Sequence, residues 1–160
     1  MFRIRLLDPT VERRQFCSGS EPLDRYFHDQ VTQDIRRRVT SCFVALDETG
    51  RVGGFYTLAA TGILLNELPA PVTKRLPRYP MIPAVRMGRL AVDRAVHGCG
   101  LGAALVADAL MRSSAAEIAA FALVVDAKDE AAAAFYEHHG FVRFASQPRT
   151  LFLVLASCPR

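Results

Sequence analysis

Apolar and polar residues alternate from Phe2 to Leu7, the period of a half-buried strand. Leu23, Phe27, Val31 and Ile35 then recur at steps of four, one apolar stripe of a helix. Ser20-Glu21-Pro22 starts that helix, with Ser20 as N-cap and proline tolerated in the first turn, and Arg36-Arg37-Arg38 close it. Thr40 to Leu46 and Val52 to Ala60 read as strands joined by a hairpin turn, Asp47-Glu48-Thr49-Gly50-Arg51. Asn66 to Pro83 holds Pro69, Pro71, Pro77, Pro80 and Pro83, so it reads as a loop with at most one helical turn, around Val72 to Leu76. A proline-braced loop of this length is suited to shaping a binding site.

Val85 to Val92 reads as a further strand and Leu101 to Arg112 as a helix. Leu101, Leu105 and Ala109 face inward, while Asp108 and Arg112 pair four apart on the wet side. Phe121 to Val125 is a nearly continuous apolar run, as expected of a strand buried on both faces. Asp126-Ala127-Lys128-Asp129 is the loop after it. The alanine-rich stretch Glu130 to His138 is a helix stopped by Gly140. Phe141 to Phe144 and Leu151 to Leu155 are the last strands. The order β-α-β-β-β-α-β-α-β-β predicts an α/β fold, a mixed sheet with helices on both faces.

Composition narrows the class. A chain of 160 residues with 51% hydrophobic content suits one domain, residues 1–160, with a substantial core. No apolar run is long enough to span a bilayer, and Met1-Phe2-Arg3-Ile4-Arg5 is no apolar signal region, so a cytoplasmic protein without membrane partners is expected. The four cysteines, Cys17, Cys42, Cys99 and Cys158, form no C-x-x-C pair, which suggests neither a metal site nor a disulfide framework. The net charge of +4 leans toward an anionic partner, which a phosphorylated acyl carrier or RNA would satisfy.

The chemistry concentrates between Gly88 and Leu105. Gly98, Gly100 and Gly102 precede an apolar helix at alternate positions. Glycines let successive N–H groups turn toward one point, and the helix start adds unsatisfied donors and partial positive charge. Together these suit a phosphate or pyrophosphate, although a plain strand-to-helix turn uses glycine too. A P-loop is excluded because Ala103 follows Gly102 where Lys would be required. The dinucleotide fingerprint is excluded because the run is G-x-G-x-G, with no acid ending a second strand. What fits is the loop on which a pyrophosphate-bearing acyl carrier sits.

On these residues the chain resembles the GCN5-related N-acetyltransferases, the GNAT fold, from about Phe16 to Leu155. Arg89-Leu90-Ala91-Val92 followed by His97-Gly98-Cys99-Gly100-Leu101-Gly102 is similar to the family's Q/R-x-x-G-x-G/A acetyl-CoA loop. Val125-Asp126-Ala127 matches the end of its fifth strand. Asp129-Glu130-Ala131-Ala132-Ala133-Ala134-Phe135-Tyr136-Glu137-His138-His139-Gly140-Phe141 matches N-x-x-A-x-x-F-Y-x-x-x-G-F. The resemblance implies acetyl-CoA as co-substrate, no metal, and a cofactor site made by Leu90, Ala91, Val92, His97, Gly98, Cys99, Gly100, Leu101, Gly102, Ala103 and Asp129. His97 stands where Gln or Arg is usual, Cys99 where Arg is common, and Asp129 where the family has Asn. These departures should weaken acetyl-CoA binding somewhat, while the backbone donors remain.

A narrower resemblance is to the GNAT toxins of bacterial toxin–antitoxin pairs. Phe16-Cys17-Ser18-Gly19, Leu23-Asp24, Gln33-Asp34, Gly54-Phe55-Tyr56-Thr57-Leu58, Arg78-Tyr79-Pro80 and Gly88-Arg89-Leu90-Ala91-Val92-Asp93 support it. It implies acetylation of the α-amine of aminoacyl-tRNA and a ribbon-helix-helix antitoxin as partner; a homodimer is among the assemblies left open. Arg36, Arg37, Arg38, Arg75, Arg78 and Arg86 are then the candidate substrate-binding cations. For the first three, complementing the helix C-terminus is the alternative role.

Acetyl transfer from a thioester to an amine needs a neutral amine and a proton for the departing thiolate. Tyr136 is the candidate proton donor, since a phenol of pKa near ~10 stays protonated at neutral pH. No general base stands out: Glu67 and Asp93 are unconvincing, and His28, His138 and His139 read as surface residues. An α-amine of pKa near ~8 needs such a base far less than a lysine near ~10.4, which favours an α-amino acceptor. A small amine or protein N-terminus as acceptor, and a non-catalytic acyl-CoA-binding module, are the alternatives.

Overall fold

The computed structural model describes residues 1–157, so Cys158 lies outside the described residues. In chain order the elements are β1 (Arg3–Leu6), α1 (Glu21–Arg25), α2 (Val31–Arg36), β2 (Ser41–Leu46), β3 (Val52–Leu64), α3 (Ala70–Thr73), β4 (Met81–Met87), β5 (Leu90–Val92), α4 (Leu101–Ala115), β6 (Ala122–Asp126), α5 (Glu130–His138), β7 (Val142–Arg143) and β8 (Thr150–Val154). The eight strands form a mixed sheet in the order β1-β2-β3-β4-β6-β8-β7, with β5 beside β3. The described chain divides into two compact units, Met1–Ala59 with Gly88–Ala109, and Ala60–Met87 with the chain from Leu110 on.

In the first unit β1, β2, β3 and β5 pair antiparallel, with Arg3 opposite Leu46, Ser41 opposite Leu58 and Gly54 opposite Val92. Its core is aromatic. Phe27 stacks on Phe55 at 4.3 Å between ring centres, and Phe16 meets both edge-on at 5.1 and 5.5 Å. Edge-on and offset contacts let the positive edge of one ring meet the negative face of another.

The helix expected as one piece is interrupted. A π-helical stretch, Tyr26–Gln30, separates α1 from α2. It carries Tyr26 and Phe27, both buried in the core. Ser20 holds the N-cap position without a side-chain capping bond. The Asp24 carboxylate instead accepts from the N–H and hydroxyl of Ser18, at 2.9 and 2.6 Å.

Two glycines allow close packing over β3. A Cβ on Gly53 would collide with the Phe2 ring, and one on Gly54 would stand 2.9 Å from Leu105 Cδ1 and 3.0 Å from the Ala91 carbonyl. The start of α4 therefore lies against bare backbone.

In the second unit β4 pairs parallel with β6, and β8 pairs antiparallel with β6 and β7. Ile63, Leu68, Ala84, Ala122, Val124, Phe144 and Phe152 make its core. The strand expected over Val85 to Val92 is two strands. Residues 84–87 pair with β6 while β4 lies between β3 and β6, and residues 90–92 pair with β3 alone. A hydrophobic run shows that residues are buried, not where a strand's pairing is interrupted, so the break at Gly88-Arg89, beyond which β6 no longer pairs, was not legible. The helical turn in the proline loop sits earlier than expected, at Ala70–Thr73, because Pro71 suits a first turn.

Candidate functional site

The glycine loop follows from one buried carboxylate. Asp93 is 3% exposed at the end of β5. Its two oxygens accept from the backbone N–H of Ala95 at 2.9 Å and of Cys17 at 3.0 Å. The first bond caps the short turn Arg94–Val96, which aims the chain toward α4. Asp93 is therefore occupied as a structural acceptor, in keeping with its poor standing as a base.

Gly98 and Gly100 adopt φ of +81° and +80°. Other residues rarely take this left-handed region, and open space lies beyond both α-carbons. Gly102 differs from the expectation, being already the second residue of α4. The loop thus rests on two glycines rather than three. His97 folds back, its Nε2 against the Val92 carbonyl at 2.7 Å, and the exposed Cys99 bonds the Val96 carbonyl. Neither side chain reaches out as the arginine usual at such positions would. Leu101 and Ala91 are buried and Leu90 and Val92 half-buried, so they contribute backbone to this loop. The N–H groups of Leu101, Gly102 and Ala103 fall in the first turn of α4, where no intrahelical acceptor exists.

Arg89 went unassigned in the sequence. Its guanidinium lies over the Tyr26 ring, 3.5 Å from the centroid, and Tyr26 donates to Asp34 at 2.8 Å. Burial and that carboxylate push the Tyr26 phenol's pKa well above its ordinary value. The hydroxyl of the buried Thr57 accepts from the Arg89 N–H at 3.1 Å, fixing the break between β4 and β5. Tyr56 donates to Asp108 at 2.5 Å. Such long-range polar pairs leave no periodic signal.

The second unit holds the other candidates. Tyr136 is 4% exposed on α5, edge-on to Phe135 and Phe141 at 5.4 and 5.6 Å. Burial first, and the Asp126 charge second, hold the phenol protonated well beyond the usual tyrosine range. Asp129 caps α5, accepting from Ala132 N at 2.8 Å. Arg86 is ion-paired with Asp126 at 2.5 Å, so its charge is already partly matched. Arg75 and Arg78 are exposed on the proline loop, and in the first unit Arg36, Arg37 and Arg38 are exposed at the end of α2. Arg38 takes φ of +61° and its N–H donates to the Ile35 carbonyl, which ends the helix. His28 and His139 are half-buried rather than surface groups, each bonded to a backbone carbonyl at 2.8 Å. Among the described residues no cluster of three or more His, Cys, Asp or Glu could hold a metal ion, and no helix is long and apolar enough to cross a membrane.

Residues 38–143 match the acetyltransferase (GNAT) domain family, and the chain belongs to that family. It is 34% identical over 142 residues to the tRNA-acetylating toxin of Mycobacterium tuberculosis (strain ATCC 25618 / H37Rv), covering 88% of this chain and 84% of that protein. Its fold is similar to that of AtaT complexed with acetyl-methionyl-tRNAfMet, with a TM-score of 0.91 and 28% identity over 98% of this chain and 96% of that one. It is also similar to a mutant of the AtaT toxin bound to the C-terminus of the antitoxin AtaR and acetyl-CoA, with a TM-score of 0.82 and 26% identity, covering 98% and 94%.

Proposed function

We infer that this chain is an acetyl-CoA-dependent N-acetyltransferase that acetylates the α-amine of aminoacyl-tRNA and blocks translation, as the toxin of a toxin–antitoxin pair. The observation that carries this reading is likeness along nearly the whole chain to a tRNA-acetylating toxin and to a toxin in complex with an acetylated aminoacyl-tRNA. Residues 1–160 act as one acetyltransferase domain, working in the cytoplasm where charged tRNA is found. A ribbon-helix-helix antitoxin is its partner.

The loop fits the co-substrate. Two left-handed glycines with open space beyond them stand directly before the α4 N-terminus. The backbone from His97 to Ala103 holds the pyrophosphate by N–H donation and helix dipole. Acetyl-CoA supplies the activated acetyl group. As the amine nitrogen bonds to the acetyl carbon and the C–S bond breaks, Tyr136 Oη, protonated because burial raises its pKa, passes its proton to the departing thiolate, and the proton shed by the acetylated nitrogen restores the phenol. No residue is required as base for an α-amine that is already partly neutral. Arg36, Arg37, Arg38, Arg75 and Arg78 supply cations for the acceptor's phosphates, with a smaller part for the paired Arg86.

The test is acetylation of a purified, charged tRNA pool, with the free amino acid and a short peptide as controls. Label on the charged tRNA alone is the expected result. A peptide acetylated while charged tRNA is ignored at low salt overturns the acceptor assignment in favour of an ordinary N-terminal acetyltransferase.

A further inference from the structure

The proline loop of the second unit borders a groove of which the chemistry above uses Arg78 alone. Its volume is about 610 Å³. Leu64 and Leu68 supply apolar surface, Asn66 and Thr73 offer polar groups, and Arg78 and Tyr79 stand at its wall. No acidic residue lines it.

Tyr79 is unusual in this chain. It is 62% exposed, and among the described residues it is the one exposed phenylalanine or tyrosine. The other three tyrosines are 0 to 4% exposed and belong to the two cores. Burial in a core cannot account for an aromatic in that position. The loop nevertheless holds it firmly. Pro80 follows, which restricts Tyr79 to extended backbone, and the Pro80 carbonyl accepts from Leu65 N at 3.2 Å. The ring is thus presented on a segment pinned to the end of β3.

The charge around it has one sign. Lys74, Arg75 and Arg78 all lie on this loop and are exposed. An exposed aromatic face, an apolar floor, side-chain amide and hydroxyl groups, and neighbouring cations are the parts that grip unpaired nucleotides. The base stacks on the ring, its edge meets the polar groups, and the phosphate meets the cation.

We propose that this groove is a subsite for one unpaired nucleotide at the 3′ end of the acceptor RNA, with Tyr79 as the stacking platform and Arg78 as the phosphate contact. The proposal rests on the aminoacyl-tRNA reading above. It assigns Tyr79 to nucleotide binding and not to acetyl transfer.

The experiment compares wild type with Tyr79→Phe, Tyr79→Ala and Arg78→Ala. One readout is KM and kcat on charged tRNA and on an amino-acid ester without nucleotides. The second is fluorescence of an uncharged RNA with 2-aminopurine at its last unpaired position, which stacking quenches. Because Tyr79 and Arg78 are exposed, the fold should survive, and an unchanged thermal midpoint checks it. Tyr79→Ala should raise KM for charged tRNA about tenfold with kcat unchanged, and abolish the quenching. Tyr79→Phe should behave as wild type, since stacking needs the ring and not the hydroxyl. Arg78→Ala should weaken RNA binding but keep the quenching at saturating RNA. KM for the ester should stay constant throughout. Unchanged KM and quenching in Tyr79→Ala, in an enzyme that acetylates charged tRNA, overturns the subsite alone. An equal rise in KM for the ester also overturns it, since Tyr79 would then contact the amino acid. A wild-type chain that ignores charged tRNA overturns the acceptor reading and the subsite with it.

Discussion

Asp93 and Cys17 are seventy-six positions apart, yet the Asp93 carboxylate accepts from Cys17 N at 3.0 Å. The Cys17 carbonyl in turn accepts from Arg94 N at 2.9 Å. This reciprocal pair ties the segment before α1 to the turn that introduces the glycine loop. Asp93 N also donates to the Gly53 carbonyl at 2.8 Å, so the same residue anchors β5 to β3.

Removing that carboxylate should therefore damage stability and the loop together. Asp93→Ala leaves two backbone donors without their acceptors, and each orphaned buried group costs about 1–3 kcal/mol. Asp93→Asn keeps one acceptor oxygen and turns an NH₂ toward the other N–H, so it should lie between parent and alanine. Urea denaturation gives the order. Acetyl-CoA affinity by calorimetry should fall in the same sequence. Parent-like stability in the alanine variant would mean that water replaces the carboxylate.

Gly100 sits at φ +80° with open space beyond it, so a side chain there strains the backbone without a clash. Gly100→Ala should cost about 1–2 kcal/mol from the left-handed conformation alone. Gly100→Glu adds a negative charge in front of the α4 N-terminus and should abolish acetyl-CoA binding. If calorimetry finds the glutamate variant binding as tightly as the parent, the pyrophosphate is held elsewhere.

Tyr136→Phe removes one hydroxyl and keeps the edge-on packing with Phe135 and Phe141. Turnover should fall by about 10²–10⁴-fold, the usual loss for a general acid, with acetyl-CoA affinity nearly constant. The rate of the parent should show no fall from phenol ionisation through pH 9, because the Tyr136 pKa is raised. Near-normal acetylation by the phenylalanine variant would assign the proton to water or another group.

The elements themselves were legible because hydrophobic spacing reports burial, and the buried Leu101, Leu105 and Ala109 of α4 match the inward face read from the sequence. The glycine loop and Tyr136 were legible as motifs, since both sit in contiguous stretches. What escaped were choices between partners. The break at Gly88-Arg89 depends on Thr57, thirty-two residues away from Arg89, and the capping role of Asp93 depends on Cys17. The π-helical stretch at Tyr26–Gln30 answers to the aromatic cluster of Phe16 and Phe55, which local propensity does not include. Gly53 and Gly54 gave no turn signal, because their reason is the helix packed above them.

Cys42 is 1% exposed, and burial pushes its thiol from 9.0 up to about 12. Above pH 9 the unfolded chain loses this proton while the native chain keeps it, so the native state binds more protons. Stability must then decrease as pH rises from 9 toward 12. The buried Tyr26 and Tyr136, also shifted upward, act in the same direction above pH 10. Urea midpoints should be flat between pH 7 and about 8.5 and decline beyond. Cys42→Ala should lower the midpoint at neutral pH and reduce the slope above pH 9. At pH 8 a maleimide should label the exposed Cys99 and spare Cys42 in the native state. Cys99→Ala should stay active, because the loop uses that residue's backbone; an inactive but folded variant would make the thiol functional.

Arg36, Arg37 and Arg38 are consecutive, exposed and placed where α2 ends. One structural role is already visible: positive charge there offsets the partial negative charge of the helix C-terminus, worth about 0.3–1 kcal/mol at an exposed site. That role is local and gives no dependence on tRNA. If the arginines also bind the acceptor's phosphates, each contact releases counterions, and the affinity for charged tRNA must fall linearly on a log–log plot against salt. The slope should change by roughly one unit for each contact removed. Arg36→Ala with Arg37→Ala should therefore flatten the plot by about two units and raise KM for charged tRNA at low salt. Acetyl-CoA binding should be untouched, because the loop proposed to hold it draws on Gly98, Gly100 and the backbone. The loss should also shrink as salt rises, since screening removes the same contribution from the parent. A double variant with the parent's salt slope, but a lower unfolding midpoint, would leave these arginines with the helix-end role alone.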